Sequence, residues 1–229
     1  MKSLLYKEFR LAMHPLCYVF TLVFPLMILI PNFPLFIGTL YIIPGFTILF
    51  LGANKGKQSN DLFYSALLPI RKKDIVKARL MSVMAMEMMA LIMMGIMYPL
   101  KLVIEASMPE VTSPFPTNGI ISGFAFAIVG YVLVNAIYFL MFYKSGRSVT
   151  APTLIGTFSY VIHILIFTSI LPAYDSKSNT ALAPGFYHAF VDINPGIQVI
   201  YLAVAIVLYL VGNYLVYKKA SQELEHADL

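Results

Sequence analysis

Apolar residues run along this chain in long, nearly uncharged blocks rather than alternating with polar ones. Four blocks are plain, at about 80–104, 119–143, 151–171 and 196–217. Each is long enough to span a membrane, which takes about 20 helical residues to cross roughly 30 Å of hydrocarbon. The stretch from Pro15 to Ala53 carries no charge and is too long for one helix. It divides into two spans of minimal length, about 15–33 and 35–53, at Pro31-Asn32-Phe33-Pro34, because prolines end helices and favour turns. The pattern therefore predicts an all-α polytopic membrane protein with six transmembrane helices in a single transmembrane domain, 1–229. Residues 1–14 form an interfacial helix, with Leu5, Phe9 and Ala12 on one face and Lys7, Arg10 and His14 on another. Residues 54–79 form the one substantial loop, between the second and third spans.

Charge orients these spans. With six of them, one side carries Lys2, Lys7, Arg10, Lys55, Lys57, Arg71, Lys72, Lys73, Lys77, Arg79, Lys144, Arg147, Lys218 and Lys219. Only Lys101 and Lys177 of the 16 basic residues fall on the other. Lys and Arg accumulate in cytoplasmic loops, so both termini are expected in the cytoplasm of a cell membrane, a bacterial plasma membrane in the simplest reading. Treating 15–53 as one span would strand the three basic residues of the N-terminus outside. The formal net charge of +5 thus reflects topology. Nucleic-acid binding would need a basic surface with its own domain, and none is left over.

Composition agrees: 59% of the 229 residues are hydrophobic and 12% charged, against about 25% charged in soluble domains. Without tryptophan, the interfacial aromatic belt must come from the 15 tyrosines. The single cysteine, Cys17, excludes an internal disulfide. It is not read as a lipoprotein cysteine, because His14-Pro15-Leu16 lacks the small residues of a processing site. No A-x-A-like site follows the opening MKSLLYKEFR, so that segment is expected to be retained.

The loop begins GANKGKQS, which resembles a phosphate-binding loop only superficially. Gly52 and Gly56 have three residues between them instead of four, Lys57 is followed by Gln58, and an apolar run precedes them instead of a strand. No nucleotide site is read here. Beyond it, Ser59, Asn60 and Asp61 can cap a helix, and Leu62, Phe63, Ala66 and Leu67 fall on one helical face. Pro69 ends that helix, and Asp74 can cap another that starts at Ile75 and runs into the third span. Arg71, Lys72, Lys73, Lys77 and Arg79 form a cationic belt at the membrane surface. The short helix is either a surface helix held by anionic lipid headgroups or a docking element that fits an apolar face into a partner's groove.

The stretch NDLFYSALLPIRKKDIVKAR, with its Leu68-Pro69, Lys72-Lys73, Asp74 and Ile75-Val76, resembles the segment before the third span in ABC type 2 exporter permeases. Arg71 stands where that family often has Ser, and Lys72 where it often has Arg. Six spans, the basic amphipathic N-terminus and Asn194-Pro195-Gly196 at the last span are similar too. The resemblance implies a coupling helix at Asp61, Leu62, Phe63, Ala66, Leu67, Leu68 and Pro69 that docks on a separate cytoplasmic ABC ATPase. It also implies a dimer with a second or related permease copy, and ATP and magnesium bound by the partner instead of this chain. Export of a hydrophobic or amphipathic peptide, an antibiotic or a lipid follows, with no enzymatic activity on this chain.

Within the spans, Glu87 is the one carboxylate well inside an apolar block. Such residues usually face other helices or water. It is read either as a substrate-pathway or subunit-interface group, or as a carboxyl that is protonated or paired with Arg79 or a polar neighbour. Asn135, His163 and Asn213 are read as interhelical hydrogen-bonding groups. Eight of the 13 methionines lie at 81–97, in pairs such as Met84/Met88 and Met89/Met93 on one helix face. Thioethers bind Cu(I), but with no Cys or His beside them adaptable apolar packing is the better reading. Gly123, Gly130, Gly156, Ser159 and Gly212 permit close helix approach, and Pro25, Pro44 and Pro99 can kink spans. No H-E-x-x-H, G-x-S-x-G or intramembrane aspartate pair is present. A stand-alone secondary transporter would show paired broken helices and several buried ionisable groups. The main alternative is a sensor or immunity subunit that binds a peptide without an ATPase.

Overall fold

The computed structural model describes residues 2–30, 35–43, 45, 70–107, 120–145, 150–170 and 194–226. All regular structure among them is helical. The chain opens with α1 (Lys2–Lys7), continued by a π-helical turn, Glu8–Ala12. Next come α2 (Pro15–Leu26) with a 3-10 turn at Met27–Leu29, and a 3-10 segment at Leu35–Tyr41. The long helices follow: α3 (Lys72–Ser107), α4 (Ile120–Ser145), α5 (Thr150–Ile170) and α6 (Pro195–His226).

By length and composition, α3, α4 and α6 can cross a membrane. A fourth span arises if Ser3–Arg10 and Pro15–Leu29, bent by 75°, count as one, and Thr150–Ile166 in α5 is a shorter apolar helix. The expected boundary between spans one and two, Pro31 to Pro34, and all of 46–53 lie outside the described residues. What is described shows the chain turning back: Cys17 Sγ lies 3.8 Å from the Gly45 carbonyl oxygen.

Local sequence accounts for the helix starts. Asn194 caps α6, its Oδ1 accepting from Gly196 N at 2.9 Å, with Pro195 at the first helical position where its missing N–H costs nothing. Asn194→Ala is expected to cost about 1 kcal/mol, measurable as a lowered unfolding midpoint in detergent. His14 plays the same part for α2, its Nδ1 accepting from Leu16 N at 3.2 Å before Pro15. Asp74 was expected as the cap of the third-span helix, but α3 already begins at Lys72. Asp74 instead lies in the first turn, where a negative charge meets the exposed N–H groups of the helix end.

Contacts give the helix directions. A Cβ on Gly130 of α4 would meet His163 and Tyr160 of α5, and one on Gly156 of α5 would meet Val134 of α4, so these helices are antiparallel. Glu87 of α3 meets Asn135 of α4, while Tyr138 of α4 feels Arg79 of α3, which sets these two antiparallel as well. The centre of the bundle is aromatic, with Tyr131, Tyr138, Phe139, Phe142 and Tyr143 of α4 buried beside Tyr160 of α5. By contrast, α6 buries one stripe, Ala205, Tyr209, Asn213, Val216, Ala220 and Leu224, at helical spacing. Its other sides expose Val204, Val207, Leu208, Val211 and Leu215. An apolar surface of that extent suits lipid or a protein partner, not water.

Candidate functional site

Among the described residues, two buried polar centres join separate elements of this apolar bundle. The first joins three helices. Tyr209 of α6 donates its hydroxyl to Glu87 Oε2 at 2.6 Å, and Asn135 Nδ2 of α4 donates to the same oxygen at 3.2 Å. Asn135 Nδ2 also reaches Asn213 Oδ1 at 3.1 Å, and Asn213 Nδ2 returns to the Tyr209 carbonyl one turn earlier, at 2.9 Å. Glu87 and Asn135 are fully buried, and Tyr209 and Asn213 nearly so. Tyr209 and Asn213 share a helix face because they are four residues apart. In apolar surroundings each of these groups needs a partner, so the network fixes how α3, α4 and α6 meet.

The second centre is an ion pair. Arg79 Nε lies 3.2 Å from Glu8 Oε2, with both side chains at most 5% exposed. It ties the π-helical turn after α1 to the start of α3. This corrects two sequence expectations. Arg79 does not sit in the surface belt with Arg71 and Lys77, which are exposed, or with Lys72 and Lys73, which are half-buried. Nor is Arg79 the partner of Glu87, whose hydrogen bonds come from Tyr209 and Asn135. The expected apolar face of the first helix is also rotated: Leu4, Glu8 and Met13 are buried, while Leu5 and Phe9 are half-buried. The physical reason is the carboxylate of Glu8, which is turned inward to meet a buried guanidinium. A π-helical bond from Met13 N to Glu8 O, at 2.9 Å, accommodates the extra residue in that turn.

His163 stands apart from both centres. Its Nε2 lies 2.9 Å from the Phe126 carbonyl and its ring stacks on Phe126, centroids 3.7 Å apart. With the carbonyl as acceptor, Nε2 carries the proton. Beside it, Thr39, Tyr160 and Ile164 line a cavity no larger than a water molecule. Lys101, placed outside by the charge count, is buried against Glu105 at 3.3 Å. Of the methionines at 81–97, Met86 and Met94 are buried, and Met81 and Met88 are exposed. Among the described residues no group of three or more His, Cys, Asp or Glu is placed to hold a metal ion. The coupling-helix residues Asp61, Leu62, Phe63, Ala66, Leu67, Leu68 and Pro69 lie outside the described residues.

Sequence reasoning singled out Glu87, Asn135 and Asn213 separately but missed Glu8 and Tyr209. For Tyr209 the available signal was a second hydrogen-bonding group one turn before Asn213 in the same apolar block.

A bundle of long apolar helices, three of them long and apolar enough to cross a membrane, defines a polytopic α-helical membrane protein. Residues 3–219 match the family described as ABC-2 family transporter protein, and the chain belongs to that family. The resemblance carried by the loop before the third span therefore holds, and the chain is an ABC-2 type membrane permease. No curated protein and no solved structure matches it significantly.

Proposed function

We propose that this chain is the permease subunit of an ATP-driven exporter. It crosses the membrane six times with both termini in the cytoplasm, works as a dimer, and docks on separate cytoplasmic ATPase subunits through the helix at 61–68. The observation that carries the reading is the family match over residues 3–219, which takes in nearly the whole chain including the loop. Three features support the six-span arrangement: the three long apolar helices, the apolar α5, and the return of the chain from α2 to Gly45. The alternating directions of α3, α4 and α5 fit it as well.

In mechanism, ATP-driven closure of the ATPases displaces the docking helices. That displacement reaches the bundle through α3, a continuous 36-residue helix that starts at Lys72, just after the loop. ATP can shift the bundle only if it binds one arrangement better than the other. Hydrophobic or amphipathic substrates, a peptide, an antibiotic or a lipid, fit the apolar, aromatic character of the bundle.

The test is copurification of the tagged chain with its genomic-neighbour proteins, comparing native protein with Phe63→Asp and Leu67→Asp. An ATPase recovered with the native chain and at least tenfold depleted in both variants is the expected result. Retention by both variants would move the contact away from 61–68. Recovery of no ATPase would put the sensor or immunity reading in place of export.

A further inference from the structure

The hydrogen bonds around Glu87 are lopsided. Oε2 accepts from both Tyr209 and Asn135, whereas Oε1 has no partner among the described residues, and neither does Asn135 Oδ1. The carboxyl is sealed where α3 meets α4 and α6, with none of its surface exposed. Both oxygens are shut off from water, as are the Tyr131 and Tyr41 hydroxyls nearby, which also have no partner among the described residues.

Charge points the same way. Among the described residues, the titratable groups that act on Glu87 are phenols: Tyr209 from α6, Tyr131 from α4, Tyr41 at the end of the 3-10 segment and Tyr160 from α5. Asn135 and Asn213 complete its polar surroundings and carry no charge. Arg79 precedes it on α3 by about 12 Å along the axis, and its Nε is engaged by Glu8. An ionised carboxylate would thus be a lone charge in a low-dielectric interior, a state that proteins avoid by neutralising the group. A proton on Oε1, the oxygen that accepts no hydrogen bond from the described residues, removes that charge.

We propose that Glu87 is an occluded proton-binding site, carrying a proton at neutral pH while α3, α4 and α6 are packed together and losing it to water when they part. In the packed state the carboxylic acid is a neutral pin in the three-helix network. When the helices separate, water enters, the O–H bond of the acid breaks heterolytically, and the proton passes to water to leave a solvated carboxylate. Repacking takes the proton back. The parting of the helices, and with it the release of the proton, rests on the export reading. The protonation itself is a property of the isolated chain.

Infrared spectroscopy of the full chain in lipid nanodiscs tests it, comparing native protein with Glu87→Gln at neutral pH. A carbonyl stretch of a carboxylic acid, present in the native protein and absent from the variant, is expected. Loss of carboxylate bands instead, with the acid region unchanged, would overturn the proposal. Because Glu87→Gln can fail to fold, Tyr209→Phe provides an independent reading. Removing the hydroxyl that donates to Oε2 should shift the acid band to higher frequency without abolishing it, and an unmoved band would refute the assignment. An ATPase that fails to copurify would leave this result untouched, so the two readings fail separately.

Discussion

Arg79→Met is expected to destabilise the protein by about 3–5 kcal/mol, because it strands the buried Glu8 carboxylate without its cation. The pair is enclosed on both sides, Arg79 Nε at 3.2 Å from Glu8 Oε2, so water cannot take over the solvation of the survivor. Had Arg79 lain in the surface belt with its neighbours, the loss would be about 0–1 kcal/mol. The two locations therefore differ by an amount that SDS-induced or thermal unfolding in detergent resolves. The double variant Glu8→Gln/Arg79→Met should recover most of the loss, since replacing a whole buried pair by neutral groups is often close to neutral. That recovery is the diagnostic, because independent sites would add. A single variant costing under about 1 kcal/mol would mean that the first helix is not locked to α3 by this contact.

The limits of reading this fold from sequence show in the same pair. The apolar blocks are local features, so the helices over 80–104, 119–143, 151–171 and 196–217 are legible from length and hydropathy alone; α3 and α6 contain their blocks, and α4 and α5 match theirs to within one residue at one end. Glu87 stands out because a carboxylate inside an apolar block is expensive. Which groups it meets depends on helix register across separations of 48 and 122 residues, which periodicity does not encode. Tyr209 is one tyrosine among 15, and its place one turn before Asn213 sets it on a polar stripe without saying that its hydroxyl meets Glu87. Glu8 and Arg79 are 71 residues apart and look like two ordinary surface charges flanking membrane spans. Only packing reveals that both point inward. The break expected between 15–33 and 35–53 is hard to read for a different reason. Pro31 and Pro34 identify a break but not its geometry, and the 3-10 turns at Met27–Leu29 and Leu35–Tyr41 on either side show no helical-period signal of their own.

Gly130→Ala is expected to cost about 1–3 kcal/mol, the usual penalty for overpacking a closed interface. A Cβ at this position of α4 would lie 2.7 Å from His163 Cδ2, 2.9 Å from His163 Nε2 and 2.9 Å from Tyr160 Cε2. Neither ring of α5 can retreat cheaply. His163 is held by its stack on Phe126 and its hydrogen bond to the Phe126 carbonyl. Tyr160 donates to the Thr39 carbonyl at 3.4 Å and stacks on Tyr131, centroids 6.2 Å apart. The helices must therefore separate, weakening both interactions at once. Gly95→Ala is the matched control, since a Cβ there meets nothing within 4 Å on α3. Its helix-propensity change alone should leave stability unchanged or raise it by up to about 1 kcal/mol. Unfolding midpoints of the two variants in the same detergent should thus move in opposite directions or differ clearly in size. Equal effects would mean that α4 and α5 stand further apart at Gly130, and that His163 bridges them across a looser interface.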